Sequence, residues 1–270
     1  MSVDELLQIS LCSQPYQIEN AMNPFEVYEI EHLSPSSCNL FVASPAMFIL
    51  QKCMKLRTSV GPAAHRGTAV ESGIVAGLVD GLPEKECIEV AVAEFSKLTS
   101  LSSDSRREKE EAALADFVKM GLKELMPYGK PSTTQGAIKH QVEGLAVPMI
   151  GYYDVEWENH GVLTDIKTTH ALPSKISTNH ARQVALYRAA RGDNLDARVS
   201  YITPKKSATY ALENPREHLA ALEAIALTIQ RFLSLSDDAK VLASYVVPEV
   251  DSFYFSDPVS RKAAYDVWGL

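Results

Sequence analysis

The chain has 270 residues, 46% apolar and 22% charged, which suits an ordinary globular protein with a substantial core. It lacks an apolar run of membrane-spanning length, and Met1–Leu7 has neither the basic start nor the cleavage site of a secretory signal, so a cytoplasmic, non-membrane protein is expected. The net charge of −8 argues weakly against general nucleic-acid binding, although the local field at a binding track counts for more than the sum.

Roughly the first thirty residues carry no clear period. Residues 36–53 read as a helix interrupted near Pro45, and a stronger helical stretch runs from about His65 to Val79, closed by Asp80-Gly81 and Pro83. Helices at 83–98 and from about Ser103 onward follow, the latter carrying the charge run Arg106–Glu111 as a solvated face. Cys12, Cys38, Cys53 and Cys87 lie far apart without a C-x-x-C pair, so neither zinc nor an iron–sulfur cluster is expected. Near Pro131 the character changes. Segments 134–147, 149–157 and 162–167 alternate like strands. A helix at 178–191, strands at 196–203 and 208–212, and helices at 215–234, 237–245 and 257–268 complete the chain. The order is α/β or α+β rather than doubly wound. One domain over 1–270 is expected, with a mainly helical part (1–130), a sheet core (131–212) and C-terminal helices (213–270). No glycine-rich phosphate loop occurs, so a nucleotide cofactor has no support.

The chemistry concentrates in Gly151 to Thr169. A hairpin with Asn159-His160 at the centre of its turn sets Asp154 opposite Asp165, with Cβ atoms about 5 Å apart. Lys167, two positions beyond Asp165, shares that face. A three-residue loop instead would slip the register and separate the aspartates. Two carboxylates so close repel each other unless a cation or a shared proton lies between them. Mg²⁺, held by one or two carboxylates and by substrate phosphate, is the common resolution. A single D-x-K is more often a surface ion pair, so other features must weigh in. Gln183 and Tyr187 share one helix face. Glu71 is the acidic residue of an otherwise small and apolar helical stretch, in Arg66-Gly67-Thr68-Ala69-Val70-Glu71. Leu33-Ser34-Pro35-Ser36-Ser37-Cys38-Asn39-Leu40-Phe41 leads into Ser44-Pro45-Ala46-Met47-Phe48.

In this order the elements resemble the RecB-like branch of the PD-(D/E)XK nucleases, which includes lambda-exonuclease-like phage enzymes. A helix-borne Glu, a G-x-x-D strand, a D-x-K strand and a Q-x-x-x-Y helix are matched by Glu71, Gly151 to Asp154, Asp165 to Lys167, and Gln183 to Tyr187. The resemblance covers residues 33–190 and implies a restriction-endonuclease-like core, a mixed sheet flanked by helices. Two departures matter. Cluster-bearing members have a cysteine where Ser44 stands and three more near the C-terminus, whereas no cysteine follows Cys87 here. Many members also use histidine where Glu71 falls; glutamate is nearer the lambda-exonuclease pattern, and His65 is then read as a helix-entry residue.

The resemblance implies hydrolysis of DNA phosphodiesters with Mg²⁺ or Mn²⁺ held by Glu71, Asp154, Asp165 and the backbone carbonyl of Ile166. Lys167 would complete the catalytic set. Gln183 and Tyr187 would brace the site or touch the nucleic-acid backbone, and Arg66 would contact a phosphate. An exonuclease acting on linear DNA in recombination, repair or phage DNA metabolism is the leading expectation. A structure-specific endonuclease, or an inactive DNA-binding subunit of the same fold, stands as the alternative, and an unrelated α/β protein with accidental motifs as a third reading. DNA is the expected partner; a single-strand annealing or recombination protein and self-association are left open.

Overall fold

In the computed structural model, which describes residues 23–270, five strands form one mixed sheet in the order β1-β2-β3-β4-β5. Before the sheet come α1 (Pro24–Val27), α2 (Pro35–Ala43), α3 (Pro45–Phe48, continuing as a wider π-helical turn to Cys53), α4 (Pro62–Asp80), α5 (Glu84–Leu98) and α6 (Arg107–Leu125). Then follow β1 (Thr133–His140), β2 (Met149–Trp157), β3 (Val162–Thr168), α7 (Thr178–Arg191), β4 (Asp196–Ile202), β5 (Ser207–Ala211), α8 (Pro215–Leu233), α9 (Ala239–Ala243) and α10 (Pro258–Trp268). The β3–β4 pair is parallel, bridged by α7, and the other pairs are antiparallel. This is the expected restriction-endonuclease-like arrangement, a helix-flanked mixed sheet with a helical part before it. Among the described residues, no helix is long and apolar enough to cross a membrane.

Local signals set most boundaries. Pro62 occupies the first turn of α4, where a missing N–H costs nothing, so the helix starts three residues before the expected His65. Gly81, at φ 67°, closes it in the left-handed conformation. Ser44 ends α2 and caps α3 with its hydroxyl, accepting from Met47 N–H at 3.3 Å, which explains the interruption near Pro45. Strand β1 stops at His140, short of the expected 147. There Gly144 turns at φ 78° and the Gln141 side chain donates to Leu145 O at 2.8 Å, which closes a turn instead of extending the ladder.

Two cores sandwich the sheet. Val155, Trp157, Val162 and Ile166 face α4, α5 and α6, while Leu163, Val199 and Tyr201 face α2, α7 and α8. A smaller apolar group joins α3 to α10. Cys38, Cys53 and Cys87 are free, and burial pushes the first two thiols up to about 12; Cys12 lies outside the described residues.

Candidate active site

Strand β2 breaks its own alternation at Asp154. Tyr153 and Val155, two apart, should share a face, yet they belong to opposite cores. The cause is visible in β1, where Gln135 takes φ 51° and the ladder skips the Gln135–Asp154 step. Tyr153 lies over Gly136, where a Cβ would sit 2.0 Å from its ring. On the other side, β2 and β3 keep the expected register through Trp157↔Val162, Glu156↔Leu163 and Val155↔Thr164. Their connection is four residues rather than a tight two-residue turn, a 3₁₀ turn at Glu158–His160 followed by Gly161 at φ 61°. Past Val155 the strands part. Asp154 accepts the Ile166 N–H at 2.6 Å, so the two aspartates stand across an opening instead of forming a ladder pair.

Into this opening come the remaining groups. Asp165 (1% exposed) and Asp154 (8%) are buried, and Lys167 Nζ lies 2.5 Å from Asp165 Oδ2. Gln183 Nε2 on α7 donates to Asp165 Oδ1 at 3.2 Å and to Tyr187 Oη at 2.6 Å. Glu71 on α4 accepts a hydrogen bond from Gln135. A Cβ on Gly151 would sit 2.6 Å from the Tyr187 ring, so the glycine of the strand motif seats the tyrosine of the helix motif. Glu71, Asp154, Lys167 and Gln183 line an open cleft of about 630 Å³ that also reaches Ser36, Asn39, His180 and Tyr254.

Electrostatics match the crowding. Burial and the Asp165 charge push Glu71 up to about 7, partly offset by Lys167 and by a hydrogen bond with Asp154. Burial, then Asp165 and Glu71, hold Asp154 well above the usual carboxylate range. For Lys167, burial works against the charge, but the attraction of Asp165 and Asp154 outweighs it and raises the pKa. Burial and the nearby Lys167 lower that of His180, favouring its neutral form.

Asp165 Oδ2 is buried and touches the Lys167 charge, yet accepts no well-formed hydrogen bond. That unfilled acceptor, beside two carboxyls forced toward protonation, fits a divalent cation, which carboxylate oxygens suit. No three His, Cys, Asp or Glu side chains among the described residues already stand as a ligand set. Lys167 leans on Asp165, Gln135 holds Glu71, and Ile166 meets Asp154 through its N–H. Of the groups expected to hold the ion, Glu71, Asp154 and Ile166 line the cleft, and Asp165 is buried against Lys167.

Arg66 is placed elsewhere. At 4% exposure it pairs with Glu110 of α6, donates to Thr168 O and Oγ1 at 3.3 Å, and lies 4.6 Å from the Phe117 ring centroid. The expected phosphate contact does not suit that burial, because the guanidinium is already engaged by protein groups. Gln135, His180 and Thr168 reach the site without having been singled out in the sequence. Only an αL break in a strand marks Gln135, and a sequence does not display that.

A sequence profile for the PD-(D/E)XK nuclease superfamily matches residues 32–254. No curated protein matches the chain. A solved structure described as the crystal structure of SSO0001 aligns at 18% identity and TM-score 0.35, covering 68% of this chain and 84% of that one. With 223 consecutive residues inside the profile, and with the parted strands and carboxylate cleft lying within that span, the chain belongs to the PD-(D/E)XK nuclease superfamily.

Proposed function

We propose that the protein is a divalent-metal-dependent deoxyribonuclease that digests linear DNA from its ends, working as one unit in the cytoplasm. The observation that carries this reading is the excess of carboxylate over cation around the cleft: buried Asp154 and Asp165 and half-buried Glu71 against Lys167. Such a group is stabilised by a divalent ion, and Mg²⁺ or Mn²⁺ bound by the three carboxylates and the Ile166 carbonyl would polarise a phosphoryl oxygen and make water more acidic. Lys167 holds its charge where negative charge develops at phosphorus and orients the attacking water. Gln183, anchored on Tyr187, keeps Asp165 Oδ1 aimed.

End-dependence rests on Glu71 in its Arg66–Glu71 setting, which resembles the lambda-exonuclease form of the helix motif. Backbone contacts carry no base information, and an enzyme confined to scarce ends tolerates that lack of specificity. A single-strand annealing or recombination protein is the partner class this reading suggests, and self-association is compatible with it. A structure-specific endonuclease is the second reading, favoured by the open, rather than enclosed, form of the cleft. One plasmid, closed or linearised, followed in time with Mg²⁺, separates them. Loss of the linear form alone supports the exonuclease, while comparable nicking of closed circles replaces it with an endonuclease.

A further inference from the structure

A second cavity, of about 340 Å³, opens beside the cleft and sits at the low end of ligand-pocket sizes. It lies at the carboxyl ends of the parallel strands β3 and β4, the edge where open α/β sheets bind ligands. Lys167, Thr168 and His180 form the wall shared with the cleft. The far side is made by Ala171, Pro173 and the Tyr201 ring.

The pocket is pinned in place by bonds outside the carboxylate cluster. Thr169 N–H donates to Ile202 O at 2.9 Å, Tyr210 Oη donates to Pro173 O at 2.8 Å, and Ser177 N–H donates to Tyr201 Oη at 3.2 Å. Tyr201 Oη also lies 2.7 Å from His180 Nδ1. That hydrogen bond fixes the orientation of the imidazole against the Tyr201 hydroxyl. Its other nitrogen, Nε2, has no hydrogen-bond partner among the described residues. The result is a preformed slot with Ala171 and Pro173 on one side, the Tyr201 ring at its back, and the unpartnered Nε2 of His180 on the rim beside Lys167. A backbone phosphate would need free cations, and Lys167, the one cation of the lining, is paired with Asp165. The lining suits a nucleobase instead.

We propose that this cavity receives the base of the terminal nucleotide, unstacked from the duplex, while the adjoining phosphate lies in the carboxylate cleft. This deepens the exonuclease reading and rests on it. Holding the base fixes the phosphate beside it, so binding energy is used for positioning.

The test uses the full chain with Mg²⁺ and linear duplexes whose terminal nucleotides are intact or abasic. Wild type should release intact ends roughly tenfold faster than abasic ends. Ala171→Phe, at an exposed loop position, fills the pocket and should bring that ratio close to one. His180→Phe should raise KM more than it lowers kcat, with His180→Gln, which keeps a hydrogen-bonding end, recovering part of the loss. Equal wild-type rates on the two ends, or an unchanged ratio in Ala171→Phe, overturn the pocket while the nuclease stands. Failure to cut either DNA overturns the nuclease reading, and the pocket with it.

Discussion

The end of β3 separates two groups of buried charge built to opposite plans. On one side, Arg66 and Glu110 form a closed set: Glu110 meets both Arg66 and His170, and Arg66 spends its remaining donors on Thr168. Burial alone would raise the Glu110 pKa, but its hydrogen bonds to Arg66 and His170 outweigh that and lower it. On the other side, Glu71, Asp154 and Asp165 share Lys167, two of the carboxyls are pushed up, and the buried Asp165 Oδ2 has the Lys167 ammonium against it and no other partner. Burial is common to both, so burial does not distinguish them. The difference is whether the protein itself completes the charges or leaves them for something it binds.

The largest effect that tests this contrast is on cleavage. Asp165→Asn, Asp154→Asn and Lys167→Ala should each slow DNA hydrolysis by roughly 10²–10³-fold or more while the chain stays folded. Initial rates with Mg²⁺, alongside circular dichroism, measure both. Full activity in Asp165→Asn would remove the site assignment.

Stability should respond in the opposite order. Glu110→Leu leaves the Arg66 charge buried without its carboxylate partner, at a cost of about 3–5 kcal/mol in urea unfolding. Asp165→Asn relieves carboxylate repulsion, so the metal-free protein should be unchanged or more stable. If Asp165→Asn proved the more damaging of the two, the contrast would be broken.

Divalent ions sharpen the same point. At about 100 times its Kd, Mg²⁺ should stabilise the wild type by about 2.7 kcal/mol, read as a rise in Tm. Asp165→Asn should barely respond, and Glu110→Leu should retain the full increment.

The smallest effect is on pH dependence. Without metal, a Glu71 raised from 4.5 to about 7 contributes stability that is present below about pH 4.5 and lost as pH rises through about 7. Glu110, lowered, does the reverse, and its contribution disappears as pH falls through its folded pKa. Tm measured in chelator should therefore fall from pH 5 to 8, the unfolding free energy dropping by no more than about 1.4 kcal/mol per pH unit for one proton. Glu71→Gln should flatten the slope, and a slope unchanged in that variant would mean that another group titrates there.

Helix α7 at 178–191, the limits of β2, and the β2–β3 register were legible in the sequence because each depends on neighbours within a turn or a hairpin. Capping residues, the 2.0 and 3.6 periods and the glycine stops act over that same range. The cluster of Glu71, Asp154, Asp165 and Lys167 was legible for a related reason. Three of its members sit on one hairpin, and Glu71 stands out as a charge within an apolar helical stretch.

What the tertiary structure alone decided depends on contacts between distant segments. Arg66 and Glu71 lie five positions apart on α4, yet one is closed inward by Glu110 and the other opens on the cleft, because α6 packs over the first. The twist that brings Gln135 against Glu71, the fit of Tyr187 on Gly151, and the pocket walled by His180 and Tyr201 have no local signature either. The sequence by itself determined most of the elements and the hairpin register as far as Val155↔Thr164, through short-range periodicity, but not the parting of the strands at Asp154. Packing determined which charges are satisfied within the protein and which are left for a ligand, since that depends on surrounding groups that no sequence spacing encodes.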